Sequence, residues 1–96
     1  MNVDTQQLHA FVSGRVQGVG FRYFVRSTAQ SLGVGGWVRN LRDGRVELVA
    51  EGYIAQLRDL LSQLHRGPSG SDVKDIEERW VDATGEFKDF GVKATA

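Results

Sequence analysis

A glycine-rich segment followed by an arginine, GRVQGVGFR (Gly14–Arg22), contains the residues best suited to chemistry. Gly14, Gly18 and Gly20 can adopt backbone angles that other residues avoid, so the loop can turn several N–H groups towards one centre. A helix that begins near Phe21 would add its free N–H groups and the positive end of its dipole. The segment therefore predicts a cradle for a phosphate group.

Arg22 would lie in the first turn of that helix. A cation is disfavoured there by about 0.3–1 kcal/mol unless an anion binds beside it, and a guanidinium can donate two hydrogen bonds to phosphate oxygens. The loop lacks the Gly-Lys-Ser/Thr ending of a nucleotide-binding P-loop, which favours one small phosphate over a nucleoside triphosphate. The alternative is a tight turn whose glycines serve geometry, followed by a solvated arginine.

Asn40, in the segment GWVRN, is the second candidate. Asparagine is depleted in strands, and a neutral amide could orient a water molecule without adding negative charge near a phosphate. The alternative is a residue at the end of a strand that starts the turn at Arg42-Asp43-Gly44. The sequence pattern alone leaves both interpretations open.

The elements that must position these residues are predicted from apolar spacing and turn residues. The pattern indicates strands, helices and a last short apolar stretch in this order: strand Leu8–Ser13, helix Phe21–Leu32, strand Gly36–Leu41, strand Arg45–Glu51, helix Tyr53–Leu64, strand Val73–Asp82 and stretch Phe87–Val92. This order predicts one α+β domain over residues 1–96, a ferredoxin-like α/β sandwich (βαββαβ) with two helices on one face of an antiparallel sheet. The acidic residues of the third and fourth strands are expected to face solvent.

The composition narrows the function classes. Lys plus Arg and Asp plus Glu both number 12, so the net charge of zero gives no reason to expect a nucleic-acid or membrane partner. The absence of cysteine excludes a disulfide scaffold, a Cys-based zinc site and a cysteine nucleophile. His9 and His65 lack the spacing of metal ligands, so no metal site is predicted. The polar start, MNVDTQQ, and the lack of a long apolar stretch predict a cytoplasmic protein.

GRVQGVGFR, followed by GWVRN, DGRVE and a Gly-Pro after the second helix, resembles the acylphosphatase family from about Ala10 to Lys93. The resemblance implies a ferredoxin-like fold and hydrolysis of the carboxyl–phosphate bond of acyl phosphates, without a metal or other cofactor. It implies that Arg22 and Asn40 are catalytic. It also implies that the loop binds the phosphate through the backbone of Arg15, Val16, Gln17, Gly18, Val19 and Gly20.

Two other functions remain to be separated from this one. A non-catalytic domain that binds phosphate or carbamoyl phosphate within a larger assembly would have a very similar sequence, although the short chain favours an enzyme. An RNA-binding domain of the same fold would carry interleaved aromatic and basic residues, which are absent.

The expected partners are an acyl phosphate and inorganic phosphate, and the expected state is a monomer. Gly91 and Val92 predict weaker packing of the last strand.

Overall fold

The computed structural model describes residues 5–96. Their helices and strands, in chain order, are β1 (Thr5–Arg15), α1 (Phe21–Leu32), β2 (Gly35–Asn40), β3 (Val46–Tyr53), α2 (Ile54–Arg66), β4 (Asp72–Asp82) and β5 (Phe90–Val92). The strands form one sheet in the order β4-β1-β3-β2-β5. The predicted βαββαβ order is confirmed, and its four strands pair antiparallel. The added strand β5 pairs parallel to β2, so the sheet is mixed rather than wholly antiparallel.

The core follows the alternation of apolar residues along the two central strands. In β1, Leu8, Ala10 and Val12 are fully buried, as expected for a strand with neighbours on both sides. The matching face of β3 is equally buried, and both faces join one cluster with side chains from the helices. Burying each large apolar side chain stabilises the fold by about 1.5–3 kcal/mol. The helices are thereby held on one face of the sheet.

Glycines set both ends of α1. Gly20 precedes the helix with φ 76°, and Gly33 follows it with φ 75°. The residues after the helix close it, because the N–H of Gly33 donates to the carbonyl of Gln30 at 3.1 Å and the N–H of Val34 donates to the carbonyl of Ala29 at 3.0 Å. The helix therefore begins and ends where the sequence predicts. Neither helix of the described chain has the length and apolar character that a membrane span needs.

The second face of β3 differs from the prediction. Glu47 and Glu51 were expected to face solvent, but they are only 6% and 8% exposed. Glu47 lies between its two neighbouring strands and pairs with Nε2 of His9 and Nε of Arg39, both at 2.7 Å. Burial by itself would raise the pKa of Glu47, but these two partners outweigh it and lower the pKa. The acidic residues of β4, such as Glu77, are exposed as predicted.

Glu51 is held by the chain that follows β4. Its carboxylate accepts hydrogen bonds from the N–H of Thr84 at 2.7 Å, the N–H of Gly85 at 3.0 Å and the side chain of Gln7 at 2.7 Å. Burial favours a raised pKa for Glu51, and the hydrogen bonds reverse that effect and lower it. A carboxylate that accepts several hydrogen bonds is stable in a buried position, which explains why an acidic residue can occupy a central strand.

The C-terminal segment packs more firmly than predicted. Phe90 is 3% exposed, and Val92 packs against the core. A Cβ on Gly91 would meet no atom within 4 Å, so the glycine there is not required by space. Beyond β5, the N–H of Lys93 donates to the carbonyl of Val38 at 2.8 Å. The chain after β5 thus continues alongside β2, towards the C-terminal end of β2.

Candidate active site

Three strand ends bring the predicted site residues to one edge of the sheet. Val12 of β1 is paired with Val46 of β3, and Val46 is paired with Asn40 of β2. The loop that leaves β1 therefore starts at the edge where Asn40 ends its strand. The order of strands, rather than nearness in sequence, places the loop beside the asparagine.

The loop is anchored by its apolar residues and shaped by two of its glycines. Val16 is fully buried and Val19 packs against the core. Gly18 and Gly20 are exposed and have φ of 73° and 76°. A Cβ at either position would meet no atom within 4 Å, so glycine is required there by the backbone angle and not by lack of space. The backbone between the anchoring residues Val16 and Val19 is thereby open to a ligand.

Several backbone N–H groups of this segment donate to no acceptor among the described residues. The N–H of Phe24 donates to the carbonyl of Gly20 at 3.0 Å, which is the first such bond of α1. Before it, the N–H groups from Gly18 to Tyr23 donate to no acceptor among residues 5–96. No side chain caps the helix, and its first turn contains no acidic residue. The segment therefore presents free donors and an uncompensated helix dipole, as an anion site requires.

Gly14 has a different role from the one predicted. It lies within β1, has φ 123°, and marks a shift in the pairing of β1 with β4. A Cβ at Gly14 would collide with the backbone carbonyl of Asp72. The expectation that three glycines shape the loop is therefore correct for two of them, since Gly14 permits close contact between strands. Arg15 also belongs to β1, opposite Asp72.

Arg22 is the second residue of α1 and is half-buried. No carboxylate in the described chain lies within ion-pair distance of its guanidinium. Its nearest aromatic contact is the ring of Tyr23, with the centroid 6.0 Å from Cζ. A positive side chain next to the positive end of a helix, with no carboxylate partner among residues 5–96, favours a bound anion over the interpretation as a solvated residue.

Asn40 is the last residue of β2 and is half-buried. Its side-chain oxygen Oδ1 is buried and accepts no hydrogen bond from the described chain. Buried acceptors normally have a partner, and leaving one without a partner costs about 1–3 kcal/mol. An amide oxygen kept in this state at the edge next to the loop is suited to accept a hydrogen bond from water or substrate.

The strand end that carries Asn40 is held by three hydrogen bonds that the sequence pattern did not predict. The carbonyl of Asn40 accepts a hydrogen bond from the N–H of Ala96 at 3.0 Å, and the N–H of Arg42 donates to the carbonyl of Ala96 at 3.0 Å. From the loop, the side chain of Gln17 donates to the carbonyl of Leu41 at 2.7 Å. No local pattern signals these contacts, because they join distant parts of the chain.

His9 and His65, for which the sequence predicts no metal site, lie in different parts of the fold. His9 pairs with Glu47 on the sheet, and His65 is exposed in the last turn of α2. Within residues 5–96 there is no group of three or more His, Cys, Asp or Glu side chains that could hold a metal ion. The ligand types of the loop are backbone N–H groups and a guanidinium, which bind anions and not cations.

Comparison with known proteins identifies the family. The sequence model of the acylphosphatase family matches residues 8–92. This chain belongs to the acylphosphatase family. A curated acylphosphatase from Roseiflexus sp. strain RS-1 is 46% identical over 90 residues, which are 94% of this chain and 97% of the relative. The crystal structure of acylphosphatase from Bacillus subtilis has a TM-score of 0.89 and 39% identity, and the match covers 92% of this chain and 98% of that one.

The acylphosphatase fold also occurs within a longer protein. The structure of full-length HypF in its phosphate- and nucleotide-bound form matches 95% of this chain with a TM-score of 0.86 and 30% identity, but only 12% of HypF is covered. The curated relative and the Bacillus structure are instead covered almost completely. The predicted family and fold are confirmed, and the comparisons favour the predicted hydrolase over a non-catalytic binding domain.

Proposed function

We propose that this member of the acylphosphatase family hydrolyses the carboxyl–phosphate bond of small acyl phosphates with Arg22 and Asn40 as its catalytic residues. The products are a carboxylate and inorganic phosphate. The observation that supports this proposal is the buried Oδ1 of Asn40, which has no partner in the described chain and lies at the same sheet edge as the loop with free N–H groups. Oδ1 of Asn40 can hold a water molecule, while the N–H groups of the loop hold a phosphoryl group.

Stabilising the phosphoryl oxygens is the task assigned to the loop and Arg22. Negative charge is spread over these oxygens in the transition state of phosphoryl transfer, and catalysis consists mostly of positioning and electrostatic stabilisation. The N–H groups of residues 15–20 and of the first turn of α1 would donate to these oxygens. The guanidinium of Arg22 adds a full positive charge and a planar pair of donors.

Placing the attacking water is the task assigned to Asn40. The amide oxygen accepts a hydrogen bond from the water, whose oxygen then attacks phosphorus opposite the acyl oxygen. As the new P–O bond forms, the bond from phosphorus to the acyl oxygen breaks, and the proton of the water passes to phosphate or solvent. A carboxylate in place of the amide would repel the negatively charged substrate.

The leaving group explains why so few side chains suffice. An acyl phosphate releases a carboxylate, and carboxylic acids have a pKa of about 4. The leaving oxygen therefore departs as an anion at neutral pH and needs no general acid. We accordingly propose that hydrolysis proceeds without a metal ion or other cofactor. We further propose that the protein acts as a cytoplasmic monomer that binds an acyl phosphate as substrate and inorganic phosphate as product.

Two substitutions test the assigned roles with benzoyl phosphate as substrate and inorganic phosphate as competitive inhibitor. Arg22→Ala should lose both turnover and phosphate affinity. Asn40→Ala should lose turnover by about 10²–10³-fold, the typical effect of removing one stabilising group, and should keep its phosphate inhibition constant within about threefold. Near-normal turnover of Asn40→Ala would contradict the water-positioning role.

A matched control separates geometry from charge at the same position. Asn40→Asp keeps the shape of the side chain and adds a negative charge. We expect this variant to bind phosphate more weakly than Asn40→Ala, because like charges repel. If the folded wild-type protein binds phosphate but does not hydrolyse benzoyl phosphate, the chain is a phosphate-binding domain and the proposed function is wrong.

A further inference from the structure

The side chain of Gln17 links the phosphate loop to the strand end that carries Asn40. We propose that Gln17 is a positioning residue that sets the distance between the bound phosphoryl group and the water held by Asn40. This inference rests on the proposed function and deepens it. It assigns Gln17 a role through its side chain, whereas the sequence places it in the loop only for its backbone.

The contacts of the Gln17 amide use both of its hydrogens. Nε2 donates to the carbonyl of Leu41 at 2.7 Å and to the carbonyl of Arg45 at 2.9 Å. These carbonyls stand on the two sides of the turn between β2 and β3, and Leu41 directly follows Asn40. One side chain from the loop thus holds both arms of this turn.

The same contacts exclude the Gln17 side chain as a phosphate ligand. An amide nitrogen has two hydrogens, and both are already directed at carbonyls of the protein. The remaining polar atom, Oε1, is an acceptor and would repel phosphate oxygens. Gln17 is also half-buried, whereas its neighbour Gly18 is exposed. The side chain therefore faces the turn while the loop backbone faces the ligand.

Asn40 is consequently fixed between two supports. The N–H of Ala96 donates to the carbonyl of Asn40 at 3.0 Å, and the side chain of Gln17 donates to the carbonyl of the next residue, Leu41. Only the second support comes from the segment that would bind the phosphoryl group. In-line attack depends on this relative placement, because a displacement of about 1 Å can reduce the rate by about 10²-fold. Loss of the Gln17 amide should therefore slow turnover without weakening phosphate binding.

The variant Gln17→Met allows a clean test because both carbonyls keep a backbone donor. The N–H of Gly44 donates to the carbonyl of Leu41 at 3.2 Å, and the N–H of Leu41 donates to the carbonyl of Arg45 at 2.8 Å. Methionine has a similar length and fills the half-buried space. The turn should therefore fold in this variant while its link to the loop is lost.

Steady-state kinetics with benzoyl phosphate should show a fall in kcat of about 10–100-fold for Gln17→Met. The inhibition constant for inorganic phosphate should stay within about twofold. In the Asn40→Ala background, Gln17→Met should cause no further loss, because the group that it positions is already absent. Equal losses in both backgrounds, an unchanged kcat, or a weaker phosphate affinity would each overturn the proposal.

Gln56→Met is the matched control, since its Nε2 also donates to a backbone carbonyl, that of Leu32, at 2.8 Å. It should lower stability without changing kcat. A readout independent of activity is the side-chain amide signal of Asn40 in NMR spectra of the phosphate-bound protein. Gln17→Met should shift or broaden this signal, and Gln56→Met should not. An unperturbed signal in Gln17→Met overturns the inference, whereas a wild-type protein without hydrolysis overturns the proposed function.

Discussion

Removing the charge of Arg22 should make the ligand-free protein more stable. Arg22 lies in the first turn of α1, where no acidic residue compensates the helix dipole, and it has no ion-pair partner in the described chain. Arg22→Met removes the charge and keeps an unbranched apolar stem for the half-buried position. The proposed site therefore predicts that Arg22 lowers the free energy of unfolding when no anion is bound.

The size of the effect follows from the position of the charge. A cation at a helix N-terminus costs about 0.3–1 kcal/mol. The ring of Tyr23 offsets only a small part of this cost, because its centroid is 6.0 Å from Cζ, at the limit of a cation–π contact. For a domain of this size, 1 kcal/mol shifts the melting temperature by roughly 4–8 °C. Arg22→Met should therefore raise Tm by about 1–8 °C without phosphate.

Phosphate should reverse the order of the two proteins. A ligand present at 100 times its Kd stabilises the native state by about 2.7 kcal/mol, which exceeds the gain from removing the charge. Thermal unfolding followed by circular dichroism over a series of phosphate concentrations would measure both effects. Arg26→Met is the control, since Arg26 lies on the same helix and its Cζ is 5.3 Å from the Tyr23 ring centroid. It should leave the dependence on phosphate unchanged.

Two outcomes would refute this reasoning. Arg22→Met could be less stable than the wild type in phosphate-free buffer, which would show that the guanidinium has a stabilising partner within the protein. The variant could also gain as much Tm from phosphate as the wild type, which would show that Arg22 does not contact the anion. Either result would remove Arg22 from the proposed site.

Two further predictions concern stability. The pKa of Glu51 is lowered on folding from an ordinary 4.5, so its contribution to the free energy of unfolding is complete above that pH and is lost as the pH falls. In urea unfolding, the free energy of unfolding should therefore fall more steeply at acid pH for the wild type than for Glu51→Gln. Equal dependence on pH in the two proteins would contradict this prediction. Gly14→Ala should cost about 2–5 kcal/mol through collision with Asp72 and strain, and Gly18→Ala about 1–2 kcal/mol. Equal costs by the same assay would show that Gly14 is not a packing glycine.

Local signals were sufficient for most of the fold. Phe21–Leu32 is a helix over the predicted range because glycines with left-handed angles stand on both sides of it. β1 is longer than predicted, since it begins at Thr5, in a polar stretch that lacks apolar alternation. The parallel pairing of Phe90–Val92 with β2 has no local signal, because three residues carry too little pattern to specify a neighbour.

The position of a candidate site residue was predictable where it depends only on the residue's own segment. Gly18, Gly20 and Arg22 lie where the loop and the start of the helix place them. The burial of Glu47 was not predictable, because its partners His9 and Arg39 come from other strands. Alternation along one strand indicates which side faces the helices, but it does not reveal what covers the other side.

The most direct test of the central claim is hydrolysis of benzoyl phosphate by the purified protein in excess EDTA, with Arg22→Ala as the control. The claim is that backbone donors, one guanidinium and one amide are sufficient for the reaction. We predict rapid hydrolysis by the wild type and none above background by Arg22→Ala. Activity that disappears in EDTA and returns with a divalent cation would contradict the account, as would full activity of Arg22→Ala.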